Sequence, residues 1–110
     1  MKTRNTIKRK LLELGVPANL AGFPMLADAI EIWMNEATQK PRMIVDIYAP
    51  LGKKYGCGTS AAERRLRHAI ESTAKKPTDE FTAVFRRMEG PFVSEFIGTV
   101  AELVSMEEEP

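Results

Sequence analysis

The amino-acid sequence predicts an all-α fold, a compact six-helix single domain over residues 1–110 that contains a helix-turn-helix at about residues 43–76. Apolar residues recur at the spacing of amphipathic helices, and no segment alternates apolar and polar residues over the length of a strand. Glycines and prolines separate the apolar segments from one another. The composition, 44% hydrophobic and 28% charged, is that of an ordinary globular domain.

The first two predicted helices are joined by a short connection. Asn5 or Thr6 provides an N-cap for the first helix, which Gly15 and then Pro17 end. Pro24 suits the first turn of the second helix, because the N–H that proline lacks is not needed there. The core-facing positions of the two helices are Ile7, Leu11, Leu14, Leu26, Ala29, Ile30, Trp33 and Ala37.

A third helical region follows a break at residues 39–41 and begins near Arg42. It carries the apolar residues Ile44, Val45, Ile47 and Tyr48. Pro50 then kinks or restarts the helix, because proline lacks an N–H and crowds the preceding turn. Residues 51–55 form the short helix that leads into a turn.

The turn and the fourth helix complete a helix-turn-helix pattern. Gly56 and Gly58 flank Cys57 and allow positive φ in a tight connection. Ser60 and Glu63 fit a capping box, which predicts a helix over about residues 60–74. The predicted inner face consists of Ala62, Leu66, Ala69, Ile70 and Thr73. The predicted outer face consists of Ser60, Glu63, Arg64, Arg67, His68 and Glu71.

Two further helices are predicted after Lys76. Pro77 and Thr78 open the fifth helix, and Gly90 with Pro91 stops it. Its apolar residues are Phe81, Val84, Phe85 and Met88. Ser94 begins the sixth helix, whose inward positions are Ile97, Val100 and Val104.

The charges are unevenly distributed although the net charge is only +1. Five basic residues and no acid lie within the first ten positions: Lys2, Arg4, Lys8, Arg9 and Lys10. Five acids and no base lie near the other end: Glu95, Glu102, Glu107, Glu108 and Glu109. Between Lys53 and Lys76 basic residues dominate, and Glu63 and Glu71 are the only acids. This distribution predicts a local positive patch, which favours an anionic partner.

The sequence argues against several classes of protein. With the single cysteine Cys57 and the single histidine His68, neither a disulfide nor a metal site is predicted. No apolar run is long enough to span a bilayer, and the basic start lacks the apolar part of a secretory signal, so a cytoplasmic location is predicted. No phosphate-binding glycine loop or nucleophile–base pattern is evident, so no enzyme, cofactor or small-molecule substrate is predicted.

The outer face of the fourth helix carries side chains suited to DNA. The guanidinium groups of Arg64 and Arg67 can each donate two hydrogen bonds to guanine O6 and N7. Glu63 either only closes the capping box or accepts a hydrogen bond from a cytosine amino group. The residues expected to contact phosphates are Lys53, Lys54, Thr59, Ser60 and Arg65.

Three segments, LLELGVPANLAGFPMLADAI, KKYGCGTSAAERRLRHAIE and SEFIGTVAELV, resemble the DNA-binding effector domain of the stage zero sporulation protein A family. The resemblance covers about residues 7–104. It implies a transcription regulator whose fourth helix enters the major groove of a promoter element, with Glu63, Arg64, Arg67 and His68 at matching positions. Double-stranded DNA is the expected partner, together with RNA polymerase or a second copy on a tandem site.

The sequence departs from the family at two places. Ala61 stands where the family usually has an arginine, so one DNA contact is expected to be missing. The segment after Glu71 is shorter and lacks the family's tryptophan, which predicts a different loop between the fourth and fifth helices. The family's receiver domain lies outside the resemblance, which therefore implies nothing about control by phosphorylation.

Two other interpretations are kept open. Arg64 and Arg67 could belong to a merely solvated face, salt-bridged to neighbouring acids that include Glu71 at i+4 from Arg67. The domain could instead have kept the fold and bind a protein, such as a full-length regulator, through its acidic last helix with Phe96 and Met106. Salt dependence distinguishes a DNA partner from a protein partner. With about six phosphate contacts, the logarithm of the affinity for DNA falls with the logarithm of the salt concentration at a slope of about −5, whereas the affinity for a protein responds weakly.

Overall fold

Helices make up most of the computed structural model, which describes residues 2–35, 41–86 and 90–108. In chain order they are α1 (Lys2–Leu14), α2 (Gly22–Asn35), a π-helical segment (Met43–Tyr48), α3 (Ala49–Tyr55), α4 (Thr59–Lys75), α5 (Asp79–Phe85) and α6 (Val93–Glu108). No β-strand occurs within these three ranges. The predicted all-α fold with six α-helices is confirmed.

Helix α2 lies at the centre of the molecule because apolar residues cover almost its whole circumference. It contacts α1, α4 and α6 along its length. Its buried residues are Gly22, Phe23, Met25, Leu26, Ala27, Asp28, Ala29 and Ile30. Helix α6 packs against it with Phe96, Ile97, Val100 and Val104, all of them 0% exposed. Predicted core position Ala37 and the break at Gln39 lie outside the described residues, whereas Pro41 is described and buried.

Helix α1 begins earlier than predicted. Asn5 and Thr6 lie inside the helix rather than at its cap, since α1 already includes Lys2. Tertiary contacts hold the extra turn: Thr3 donates a hydrogen bond to Glu108, and Arg4 pairs with acids of α2. A cap signal in the sequence does not include such contacts. The predicted core residues Ile7, Leu11 and Leu14 are buried, and α1 ends before Gly15 as expected.

The predicted restart at Pro50 does not occur, because Tyr48 and Ala49 both keep αR backbone angles and the helix continues without a gap, changing from π-helical to α-helical. The π-helical segment ends at Tyr48, and α3 begins at Ala49 with proline in its first turn. Proline fits there because it lacks the N–H that an interior position would need. Of the five apolar residues in the segment only Ile47 is buried, while Ile44 and Val45 are 66% and 53% exposed.

Thr78 joins two helices at once. Its hydroxyl accepts a hydrogen bond from the Phe81 N–H, which confirms it as the N-cap of α5. The same hydroxyl donates to the backbone oxygen of Leu14, at 3.1 Å, at the end of α1. One side chain therefore satisfies backbone groups at an N-terminus and at a C-terminus.

The ends of α5 and α6 differ slightly from the predicted ones. Helix α5 ends at Phe85, before Arg86 with a positive φ of 52°, and so stops short of the predicted Gly90 and Pro91. Predicted position Met88 lies outside the described residues. Helix α6 begins at Val93 instead of Ser94, because the side chain of Glu95 accepts a hydrogen bond from the Phe92 N–H and caps the helix there.

Candidate nucleic-acid interface

The connection between α3 and α4 is tight because two glycines meet its steric demands. Gly56 has φ +70°, as predicted, and the Cys57 N–H donates to the backbone oxygen of Gly52 at 2.8 Å. A Cβ atom at Gly52 would lie 2.4 Å from the Cys57 oxygen, so the turn requires glycine there. Gly58, in contrast, has an extended backbone with φ −78°, and the positive φ predicted as an option for it does not occur.

The capping box predicted for α4 is wrong. The helix begins at Thr59 with Gly58 as N-cap, and no side chain caps it. Ser60 therefore lies within the first turn, and Glu63 bonds to Arg67 instead of to a backbone N–H. The physical reason is that the extended backbone of Gly58 already starts the helix two residues earlier. The backbone N–H groups of the first turn are left without a side-chain partner.

The inner face of α4 is buried as the periodicity predicted. Its members are Ala62, Leu66, Ala69, Ile70 and Thr73, each at most 1% exposed. The one polar member, Thr73, donates its hydroxyl hydrogen to the Ala69 oxygen at 2.8 Å and so leaves no unsatisfied donor in the core. This burial fixes the rotation of α4 and turns its opposite face to the solvent.

Helix α2 sets how closely α4 approaches the core. A Cβ atom at Gly22 would lie 2.4 Å from the backbone oxygen of Arg65 and 2.8 Å from the Cβ atom of Ala69. The start of α2 therefore touches the backbone of α4 directly. Beside this contact an open groove is lined by Ala21, Gly22, Arg64, Arg65 and His68.

Arg64 and His68 lie exposed on the outer face of α4. Neither has a hydrogen-bond or ion-pair partner within the described ranges. Their positions along the helix differ by four residues, so their side chains are neighbours on one surface. An unpaired guanidinium and an exposed imidazole are thus presented to the solvent side by side.

Arg67 is exposed but already paired. Its Nε atom lies 3.0 Å from Glu63 Oε2 and its Nη2 atom 3.4 Å from Glu63 Oε1. The hydrogen bond from Arg67 to Glu63 raises the pKa of the arginine. Arg67 is thus salt-bridged to a neighbouring acid, as the alternative interpretation expected, but the acid is Glu63 and not the Glu71 that it gave as an example. The Nη1 side of the guanidinium stays unbonded, so the carboxylate orients Arg67 without occupying all of its donors.

Tyr48 adds a residue that the sequence did not single out for this surface. With Ile44 it lines an open groove whose other wall is formed by Thr59, Ser60 and Glu63 of α4. Burial raises the pKa of the Tyr48 hydroxyl, and the charge of Glu63 raises it further while Arg67 opposes the shift. The available signal was the run of apolar residues 43–45, 47 and 48, because one helical segment cannot turn all of them inward.

The predicted phosphate contacts are not equivalent. Lys53, Thr59, Ser60 and Arg65 are exposed around the start of α4. Lys54 is exposed too, with 59% of its side chain accessible, but its Nζ atom lies 2.9 Å from a carboxylate oxygen of Asp28. Sequence reasoning missed Asp28, although an acid between two apolar alanines of α2 was a usable signal.

The basic start and the acidic end of the chain neutralise one another. The Nζ atom of Lys10 lies 2.6 Å from Glu107, 3.0 Å from Glu13 and 3.7 Å from Glu80, and Arg9 lies 3.7 Å from Glu107. Lys10 is buried rather than on an exposed helix side. Lys53, Arg64 and Arg65 near the turn between α3 and α4, in contrast, are exposed and have no ion-pair partner within the described ranges.

The protein-binding surface considered for the last helix is not formed as predicted. Phe96 is 0% exposed and stacks on Phe85, with ring centroids 5.4 Å apart. Only Met106 of the two residues is exposed, at 61%. The helical phase explains this, because Phe96 shares the inward face with Val100.

A tight turn followed by a helix with a buried inner face and exposed cationic groups is the arrangement of helix-turn-helix DNA-binding domains. The described residues hold no group of three metal-binding side chains, and none of the described helices has the length and apolarity of a membrane span. Residues 7–104 match the family model described as sporulation initiation factor Spo0A C terminal, and the chain belongs to that family. The family is the DNA-binding domain of a sporulation regulator, which confirms the resemblance noted from the sequence.

Proposed function

We propose that this protein binds double-stranded DNA sequence-specifically and regulates transcription, with α4 in the major groove. The observation that carries the proposal is the outer face of α4, where arginines and a histidine lie exposed beyond a tight turn. The major groove is wide enough for one α-helix, and its base edges offer a distinct pattern for each base pair. The family to which the chain belongs supports the same function.

The base-reading roles follow from the geometry of each side chain. Arg64 is free to approach guanine O6 and N7 with two donors. Arg67 is held by Glu63 and offers its remaining donors to a second base. Glu63 retains lone pairs that can accept from a cytosine amino group while the pair is intact. His68, next to Arg64 on the surface, completes the set.

The phosphate-contacting roles belong to the border of this face. Lys53 and Arg65 supply charge, and Thr59 and Ser60 supply hydroxyl groups. The first turn of α4 has no side-chain cap, so its N–H groups remain available to a phosphate oxygen. These contacts fix the register of the helix on the duplex and carry no sequence information themselves.

A single domain of this size covers only part of an operator. Helix-turn-helix proteins commonly bind two sites one helical turn apart, about 34 Å along the duplex. We therefore include a second copy on a tandem site, and RNA polymerase beside it, as partners in the proposed function. The proposed location is the bacterial cytoplasm, at the nucleoid.

Selection of bound duplexes from a random DNA pool at near-physiological salt tests the proposal. We expect a recovered motif that contains guanines within one major-groove segment. We also expect the logarithm of the affinity to fall with the logarithm of the salt concentration at a slope of about −5, the value for about six phosphate contacts. Arg9→Ala is a charge-matched control, because Arg9 lies on α1 and points to Glu107. Recovery of no motif, with binding insensitive to salt, would refute DNA recognition.

A further inference from the structure

Asp28 joins three helices through one carboxylate. Its Oδ1 atom accepts a hydrogen bond from Arg4 of α1, and its Oδ2 atom accepts hydrogen bonds from Tyr55 and Lys54 of α3. The side chain is only 7% exposed, and it is the single buried carboxylate in the described part of the chain. The start of the helix-turn-helix is thereby tied to the centre of the molecule.

The charges in this cluster balance. Arg4 also lies 3.1 Å from Glu31, so two cations face two carboxylates. Burial alone would raise the pKa of Asp28, but the hydrogen bonds from Tyr55, Lys54 and Arg4 outweigh it, and the pKa is lowered. Asp28 is therefore a permanent anion under the conditions in which DNA is bound.

A permanent anion next to Lys54 weakens its attraction for a phosphate. The carboxylate oxygen lies 2.9 Å from the ammonium and takes one of its donors, while its charge repels a second anion that approaches. The neighbouring Lys53 is exposed and has no ion-pair partner within the described ranges. The charge of Lys53 is therefore available to a phosphate, whereas the charge of Lys54 is largely neutralised by Asp28.

We propose that Asp28 withholds Lys54 from DNA, so that Lys54 is a positioning residue that fixes α3 ahead of the turn. Of the two adjacent lysines, only Lys53 then contacts a phosphate. The inference rests on the proposed DNA-binding function and revises the phosphate role predicted for Lys54. It makes Asp28, a residue remote from the outer face of α4, a determinant of how many charges the protein presents to the duplex.

The salt dependence of affinity for one fixed duplex tests this inference. Lys53→Ala should flatten the log–log slope by about 0.9, the value of one phosphate contact. Asp28→Asn should steepen it by about 0.9, because Lys54 becomes free to bind a phosphate. Adding Lys54→Ala to Asp28→Asn should remove that gain. An unchanged slope in Asp28→Asn, or a flattening in Lys54→Ala equal to that in Lys53→Ala, would overturn the inference.

Thermal unfolding without DNA separates failure of this inference from failure of DNA binding. A double-mutant cycle over Asp28→Asn and Lys54→Ala should show coupling, whereas a cycle over Asp28→Asn and Lys53→Ala should show none. Absence of the first coupling would overturn the inference whether or not the protein binds DNA. If Asp28→Asn does not fold, Lys54→Ala is compared with Lys53→Ala instead. Loss of a positioning residue lowers Tm, so Lys54→Ala should lower Tm, whereas loss of a phosphate contact flattens the salt slope, so Lys53→Ala should flatten it.

Discussion

Arg67 shows how a surface ion pair can prepare a side chain for recognition. The Glu63 carboxylate fixes the guanidinium from one side, at 3.0 Å from Nε. A free arginine side chain must lose rotamer freedom when it binds, and a side chain held in place loses less. In the proposed base readout the exposed pair thereby serves specificity, even though ion pairs in water add little to stability.

Arg67→Ala is expected to remove the preference for one base pair while the fold stays intact. Loss of two directed hydrogen bonds to guanine lowers discrimination by roughly 5- to 150-fold. A competition shift assay with the selected duplex and a single-base variant measures this ratio. Tm should stay unchanged because the side chain is exposed. Undiminished discrimination in the variant, with Arg9→Ala as the control, would show that Arg67 reads no base.

The sequence predicted the buried faces of the helices better than it predicted where the helices begin. The inner face of α4 was predicted correctly because its periodicity is local to the chain and long enough to be unambiguous. The start of the same helix was not, because Gly58 and Ser60 are both acceptable caps and only the geometry of the turn selects between them. The additional turn of α1 depends on contacts with α2 and α6, which no local pattern reports.

Gly22→Ala tests the contact that seats α4. The added methyl group would lie 2.4 Å from a backbone oxygen that cannot rotate away, so α2 and α4 must separate. We expect a destabilisation of about 1 to 3 kcal/mol, typical of overpacking, together with weaker binding to every duplex. Chemical denaturation measures the first effect and a shift assay the second. Gly90→Ala is the matched control, because nothing lies within 4 Å of its added Cβ; equal stability of the two variants would contradict the contact.

Thr78→Ala tests the joint between α1 and α5. The substitution leaves the Phe81 N–H and the Leu14 oxygen without their partner. Loss of an N-cap costs about 1 kcal/mol, which lowers Tm by roughly 4 °C or more in a domain of this size. Thr82→Ala, at an exposed position of α5, should change Tm far less. A calorimetric scan in which both variants melt alike would exclude the capping role.

At the scale of the whole molecule, two paired carboxylates, those of Asp28 and Glu107, make the free energy of unfolding depend on pH in acid. The pKa of Asp28 is lowered in the folded state from an ordinary value of 3.8. A lowered pKa means that the stabilisation is complete above the unfolded value and is lost as pH falls through the folded one. The pKa of Glu107 is lowered as well, by its hydrogen bond from Lys10. Acid should therefore loosen the α1–α2 and α2–α3 contacts at Asp28 together with the α1–α6 contact at Glu107.

Asp28→Asn should flatten the acid side of the stability profile. Unfolding free energies measured between pH 6 and about pH 3 are expected to fall less steeply in the variant than in the parent protein. The reason is that the variant lacks the carboxylate whose pKa differs between the folded and unfolded states. Near neutral pH the variant should be less stable by roughly 1 to 3 kcal/mol, since its partners lose a charged acceptor. Parallel acid profiles for the two proteins would show that Asp28 does not carry the effect.

Asp28 was also the main residue of the further inference that sequence reasoning missed. Its burial follows from the packing of three helices, and its partners Arg4 and Lys54 lie 24 and 26 positions away along the chain. Periodicity reports which face of a helix is inward but not which cation reaches it. The exposed arginines of α4, in contrast, could be inferred from their phase on a single helix.

The mutual cancellation of the two chain ends has a kinetic meaning. Lys10 and Arg9 are held against Glu107, whereas Lys53, Arg64 and Arg65 have no ion-pair partner in the described part of the chain, so in the proposed function the end with α3 and α4 attracts the duplex. A molecule with this charge distribution is rotated by the electric field before contact is made, even though its total charge is close to zero. In the proposed function this steering raises the rate of productive encounters with DNA at low ionic strength, and the gain fades as the Debye length contracts.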